Sequence, residues 1–284
     1  MTAIQHRARR AVAEAIALGW EGPPFDMEVL ASLRRLKLVV RSLGDSKREG
    51  LWMGATIILR PGLHKHRRPY VIAHEIVHSL LGKDQATTTK SEAGLLERVC
   101  QAGAAELLLP FHVMAGHCNG VPVCTSLIDS VEAAFGVSFE AAGRRCLELC
   151  SEPALFIVAV GAEHAARWGV RTIIGPAQLR ISDLQVVRAY PSPSWTEGTA
   201  GLVGLPVPRT SVIQRSFSRA TISRKLGATF RGEESWHIGC SQRQLTVEAA
   251  PRPAAGRPSA AIAVMQHSGG QATLFAPRPK PQSQ

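Results

Sequence analysis

Along the first 150 residues the apolar positions recur mainly every three to four residues, the spacing that gathers them on one face of a helix. Residues 3–19 follow it and then break at Gly22-Pro23-Pro24. Asp26 is placed to cap a second helix from Met27 to about Leu36. Leu38-Val39-Val40 and Ala55-Thr56-Ile57-Ile58-Leu59 are β-branched runs that read as strands, the second bounded by Gly54 and Pro61-Gly62. Pro69 suits the first position of a helix from Tyr70 to Leu81, and Gly82 suits the position just past its end. Thr89 and Glu92 have capping-box spacing and open a helix to Leu109, which Pro110 ends. Two more helices, about 125–135 and 138–150, are split by Gly136-Val137-Ser138.

The pattern changes near Pro153. Leu155 to Val160 and Leu184 to Tyr190 read as strands, as do parts of 227–250. Ala261 to Met265 and Ala272 to Phe275 flank Ser268-Gly269-Gly270, a hairpin signal. Residues 277–284 are rich in Pro and Gln and read as a disordered tail. The expected organisation is α+β: a mainly helical domain with a small sheet at 1–150, a β-rich domain at 151–276, and the tail.

Composition adds two constraints. At 45% hydrophobic residues the 284-residue chain is not a disordered polypeptide. Its formal net charge is +11, unevenly placed: 18 Lys+Arg against 15 Asp+Glu in residues 1–150, but 15 against 7 in 151–284. The excess points to an acidic partner or nucleic acid for the second half. No apolar run reaches the ~18 residues of a membrane helix. The Arg7-Arg9-Arg10 start faintly imitates a signal peptide, but Glu14 interrupts the apolar stretch, so an amphipathic first helix is expected. Six sparse, irregularly spaced cysteines suggest reduced thiols and a cytoplasmic location.

The chemistry concentrates at His74-Glu75-Ile76-Val77-His78, a His-Glu-x-x-His motif. Residues i and i+4 of a helix share a face, so both imidazoles can reach one metal ion. Glu75, beside His74, is then the candidate general base for water activated by that metal. The surrounding Val71, Ile72, Ala73, Ile76, Val77, Leu80 and Leu81 make a buried helix, and buried histidines need partners. Hydrolytic zinc usually takes a third protein ligand. On the next helix Glu92 is explained by capping. Glu106 lies two and a half turns from Glu97 and faces the other way. Glu97 is mid-helix, with Ala102-Gly103-Ala104-Ala105 downstream allowing close packing on the motif helix; its competing reading is a surface carboxylate beside Arg98.

Residues 68–81 (RPYVIAHEIVHSLL) and 97–110 (ERVCQAGAAELLLP) resemble the ImmA/IrrE metallopeptidase family. The likeness extends over about residues 25–150, including Phe135 to Leu149. It is weaker over 184–216, where Pro191 to Trp195 and Pro208 to Ser211 are similar to the longer, IrrE-like members. Cys100-Gln101 departs from the Ala-Asn of many members. The resemblance implies a zincin-like domain with His74, His78 and Glu97 as zinc ligands (Mn²⁺ also fits) and Glu75 as the catalytic residue. It further implies a GAF-type, sensor-like β domain and regulated cleavage of a separate helix-turn-helix repressor, releasing stress-response, phage or mobile-element genes.

Other residues invite weaker readings. Cys100, one turn from Glu97, is a redox-sensitive or supporting neighbour of the metal, or simply a packed thiol. Tyr70 packs its helix or polarises a substrate carbonyl. His112, His117, Cys118 and Cys124 fit no common zinc spacing. Arg215, Arg219, Arg224, Lys225 and Arg231 form a run free of acidic residues, a solvated basic face or a contact for an acidic partner or phosphates. The reading is therefore a cytoplasmic zinc endopeptidase acting on one protein. Its alternative is a DNA-binding or signal-sensing regulator that keeps the metallopeptidase fold as scaffold. A general protease of unfolded chains is disfavoured.

Overall fold

A computed structural model of the chain describes residues 3–45, 48–82, 90–118, 120–170, 183–199, 201–223, 229–238, 241–254 and 257–267. Among these the architecture is mixed α+β, and it divides into two units, Met1–Ser151 and Glu152–Gln284.

The first unit begins with α1 (Ala3–Ala17), whose Ile4, Ala8, Ala11, Val12 and Ala15 are buried on one face. Its basic residues lie outside that stripe, so it is an amphipathic helix packed on the helices that follow. Helix α2 (Met27–Leu33) is capped by Asp26, whose Oδ1 accepts from the backbone N–H groups of Glu28 and Val29 at 2.7 and 3.3 Å. Three short strands follow, β1 (Lys37–Val40), β2 (Gly50–Met53) and β3 (Thr56–Leu59). They form one sheet in the order β1-β3-β2, with β1 parallel and β2 antiparallel to β3. The sequence pattern does not announce β2. It is four residues long and begins at a glycine, and it owes its extended form to pairing with β3 rather than to propensity.

Helix α3 (Arg67–Leu81) starts two residues before Pro69, so the proline lies inside the first turn, where its missing N–H is still tolerated. It ends at Gly82, at φ 83°. Helix α4 (Lys90–Leu108) packs against α1 and α3; its expected capping residue Thr89 and the side chain of Glu92 lie outside the described residues. Pro110 ends α4 but also opens α5 (Phe111–Cys118), since its carbonyl accepts from Val113 and Met114. That helix is absent from the sequence reading, which treated the proline only as a stop. Helices α6 (Thr125–Phe135) and α7 (Phe139–Glu148) are joined by Gly136, at φ 63°, and by Ser138, which caps α7 through the Ala141 N–H.

Glu106 is fully buried on the side of α4 remote from Glu97. Its carboxylate receives Arg145 at 2.5 Å, Arg9 at 3.0 Å and the Phe111 backbone N–H at 2.9 Å. A buried charge is tolerated only with such partners. The residue therefore ties α1, α5 and α7 to α4.

The second unit holds one antiparallel sheet of β4 (Ala154–Gly161), β5 (Leu184–Pro191), β6 (Phe230–Ile238), β7 (Ser241–Ala254) and β8 (Arg257–His267), in the order β5-β4-β8-β7-β6. Every residue of β4 is buried, so both faces of this interior strand are covered. A 3₁₀ helix (Ala162–Trp168) follows β4, and α8 (Val212–Ser223) packs on the sheet. The sequence reading took 212–223 only as a basic run. Val212, Ile213, Ser216 and Ala220 are buried there while Arg215 and Arg219 point to solvent. The expected Ser268-Gly269-Gly270 hairpin, the 272–275 strand and the tail lie outside the described residues. Among the described residues no single helix is long and apolar enough to cross a membrane.

Candidate metal centre

Helix α3 buries Val71, Ile72, Ala73, Ile76 and Val77, and this fixes its rotation. The remaining stripe turns His74 and His78 toward a cleft of about 560 Å³. Helix α4 closes on α3 at Gly103. A Cβ there would stand 2.8 Å from both γ-methyls of Val77, so the approach requires a residue without a side chain. This contact places Glu97, six residues earlier on α4, opposite the two histidines.

Three donor atoms converge. His74 Nε2 and His78 Nε2 are 3.2 Å apart. The Glu97 carboxylate lies 3.2 Å from the first and 3.7 Å from the second. Among the described residues these three form the one group of His, Cys, Asp or Glu donors with metal-binding proximity. Atoms held ~2.0–2.1 Å from one ion at the tetrahedral angle stand about 3.3 Å apart, so the three edges fit a small tetrahedral cation. Two imidazoles and one carboxylate are also the donor set of hydrolytic zinc. Burial, and next the neighbouring His78, hold His74 below its ordinary pKa, which keeps its lone pair available at neutral pH.

Behind the donors the packing is apolar. Cys100 is fully buried, with Sγ 3.6 Å from His78 Nδ1. Burial first, and then Glu97 and Glu75, push its thiol up to about 12. It remains protonated at neutral pH, which makes it a supporting contact of the His78 ring and a poor nucleophile. His74 Nδ1 is buried without a hydrogen-bond partner among the described residues.

Glu75 is 7% exposed and lines the same cleft. It lies under β2, one of the two edge strands of the small sheet. The Trp52 backbone N–H donates to its carboxylate. At Gly50 a Cβ would meet Val71 Cγ1 at 2.5 Å and Glu75 Oε1 at 2.8 Å, so the strand can cross α3 only with glycine at that point. Desolvation raises the Glu75 pKa, against the opposing pull of His78 and the Trp52 hydrogen bond. A carboxylate with a raised pKa beside a metal site is suited to moving protons near neutral pH. Gly50 and Trp52 carry no motif, and the sequence reading missed both. Their one local signal is a glycine at the start of an otherwise apolar tetrapeptide.

Tyr70 also lines the cleft, with its ring 6.1 Å from that of His74 and the Arg67 guanidinium 4.7 Å above it. Arg215, Arg219 and Arg231 are exposed in the second unit. Arg224 and Lys225 lie outside the described residues.

Comparison with known proteins agrees with this geometry. Residues 35–147 match the family model of the IrrE N-terminal-like domain, a metallopeptidase family that implies a metal. The chain carries that domain. A Mycobacterium tuberculosis transcriptional regulator shares the fold at a TM-score of 0.56, over 94% of this chain and 77% of that one, at 15% identity. No curated protein matches the chain.

Proposed function

We propose, from a chain that carries an IrrE N-terminal-like domain at residues 35–147, that the protein is a zinc-dependent endopeptidase that cuts a specific protein. Its substrate is a helix-turn-helix transcriptional repressor in the cytoplasm, and cleavage switches on stress-response or mobile-element genes. The observation that carries the reading is the convergence of His74, His78 and Glu97 with a buried carboxylate, Glu75, in the same cleft.

Zinc held by His74, His78 and Glu97 would supply Lewis acidity to a peptide carbonyl and to the attacking water. The rest falls to the chain. Glu75 accepts the proton of the attacking water at the carboxylate that Trp52 N–H orients, and returns it to the departing amine. The outer edge of β2 lies along the cleft and offers backbone groups to an extended peptide, which would add as a further strand. The apolar wall behind the donors excludes water from their far side.

A second reading is favoured by two observations. The structural neighbour is a transcriptional regulator, and the second half of this chain is strongly basic. In it the chain binds DNA or senses a signal, through a GAF-like second unit, and the metal domain is a scaffold. Zinc-loaded protein mixed with candidate repressors and with duplex DNA separates the two. Cleavage that a chelator abolishes supports the endopeptidase. Salt-sensitive DNA binding with intact repressor supports the regulator.

A further inference from the structure

Besides Cys100, which packs against the donor triad, the first unit gathers four more of the chain's six cysteines. Cys118 closes α5, Cys124 immediately precedes α6, Cys146 is in the last turn of α7, and Cys150 follows it. The Cys118 and Cys146 thiols are hydrogen-bonded to each other, and Cys124 and Cys150 lie within electrostatic reach of Cys146. Cys124 Sγ is itself 3.1 Å from Ser126 Oγ. None of the four is in a disulfide; Cys146 is fully buried, while Cys118 is half-buried.

Two chemistries suit clustered thiols. A four-thiolate zinc site places its sulfurs about 3.8 Å apart, from Zn–S bonds of ~2.3 Å. No three of these cysteines approach each other that closely. One pair in contact, with one member half-buried and one fully buried, is instead the arrangement of a dithiol that oxidises internally.

We propose that Cys118 and Cys146 form a peroxide-responsive dithiol whose oxidation links the end of α5 to the last turn of α7. The Cys146 thiol donates its hydrogen bond to the Cys118 sulfur, and this holds Cys118 below the ordinary thiol pKa. Burial opposes the shift, and Arg145 adds to it. Cys118, the less buried of the two sulfurs, is the one that attacks a hydroperoxide. With hydrogen peroxide, its thiolate forms an S–O bond as the O–O bond breaks. The hydroxide released takes up the thiol proton and leaves as water, with Cys118 now a sulfenic acid. The Cys146 sulfur then attacks Cys118, the S–S bond forms, the S–O bond breaks, and a second water leaves with the Cys146 proton. Two thiols and one peroxide become one disulfide and two waters.

The link falls where it matters to the fold. Helix α5 follows α4 directly, and Arg145, next to Cys146, holds the buried Glu106 of α4. The disulfide fixes the end of α5 to the turn of α7 whose Arg145 holds Glu106, in the last turn of the helix that carries Glu97.

The test uses the full-length reduced protein. It is treated with a few equivalents of hydrogen peroxide, alkylated with N-ethylmaleimide, and mapped by non-reducing peptide mass spectrometry. The expected result is one cross-linked pair, Cys118 with Cys146, loss of two of the six titratable thiols, and full recovery with dithiothreitol. Cys118 reacts at least about tenfold faster than the buried, protonated Cys100. C118S, a change at a half-exposed position, removes the cross-link and leaves Cys146 reduced. Three outcomes overturn the proposal: sulfinic or sulfonic acid at Cys118 without a cross-link, a link from Cys118 to Cys124 or Cys150 instead, or six intact thiols at peroxide levels that oxidise free glutathione.

Discussion

Adding a single methyl group at Gly103 probes the contact that sets the spacing of the metal ligands. The alanine Cβ would lie 2.8 Å from both Val77 γ-methyls and 3.3 Å from Ile4 Cγ1. Carbon atoms pack at about 3.5–4.0 Å, so α3 and α4 must part by roughly 1 Å. Val77 is fully buried and has no room to turn away. Overpacking of this kind costs about 1–3 kcal/mol, and alanine returns up to ~1 kcal/mol of helix propensity, so G103A should lose about 1–2 kcal/mol. The larger effect is on the metal. The 3.2 Å separation of His74 from Glu97 widens beyond a tetrahedral edge, and Glu97 recovers only part of it through its flexible side chain. Zinc affinity should fall about tenfold or more. Urea unfolding of metal-free protein measures the first effect, and competition with a chromogenic chelator the second. V77A removes the clash, so V77A/G103A should be no less stable than V77A and should recover zinc affinity. Unchanged stability and affinity in G103A, or no rescue by V77A, would refute the reasoning.

Other substitutions separate the roles of the remaining residues. E75Q should keep its zinc by elemental analysis while cleavage falls at least ~10²-fold, the lower end for loss of a general base; a metal-loaded E75Q that still cuts would sink the mechanism. Wild-type protein should carry one zinc by elemental analysis and H78A none, and metal-free wild-type protein with full activity would argue against the site. E106A takes from Arg145, whose side chain is 4% exposed, its fully buried partner and leaves it Glu148 and the Leu109 carbonyl, so it should cost about 1.5–3 kcal/mol in denaturant unfolding without altering the ligand spacing directly. A loss below ~0.5 kcal/mol would mean that these two remaining partners suffice for Arg145.

Much of the first unit could be read from local chemistry. The i, i+4 spacing of His74 and His78 needs only a helix, and the apolar residues around them supply it. The Asp26 and Ser138 caps and the Gly136 turn are likewise local signals that the structure contains. Choosing Glu97 over its neighbours was harder, because the choice depends on how α4 meets α3, and that is decided at Gly103 against a residue 26 positions earlier. Strand β2 was invisible because its conformation comes from its partner strand. In helix α8 the arginines dominate the local pattern, although its buried positions repeat with helical spacing. The meeting of Cys118 with Cys146 is set by how α5 and α7 pack, and no spacing rule carries that information.

The hydrogen bond from Trp52 to Glu75 has a bearing on which bonds such an enzyme can cut. One backbone strand both orients the proton-transferring carboxylate and borders the groove where a substrate would lie. A peptide pairing with that strand shifts in steps of one residue, and each single step turns its side chains to the opposite face. The scissile bond is thereby indexed to Glu75 by main-chain pairing. A helical stretch, with its own N–H and C=O groups already engaged, has nothing to offer that edge. Of a mostly helical repressor, only an extended or locally unwound segment would be open to cleavage.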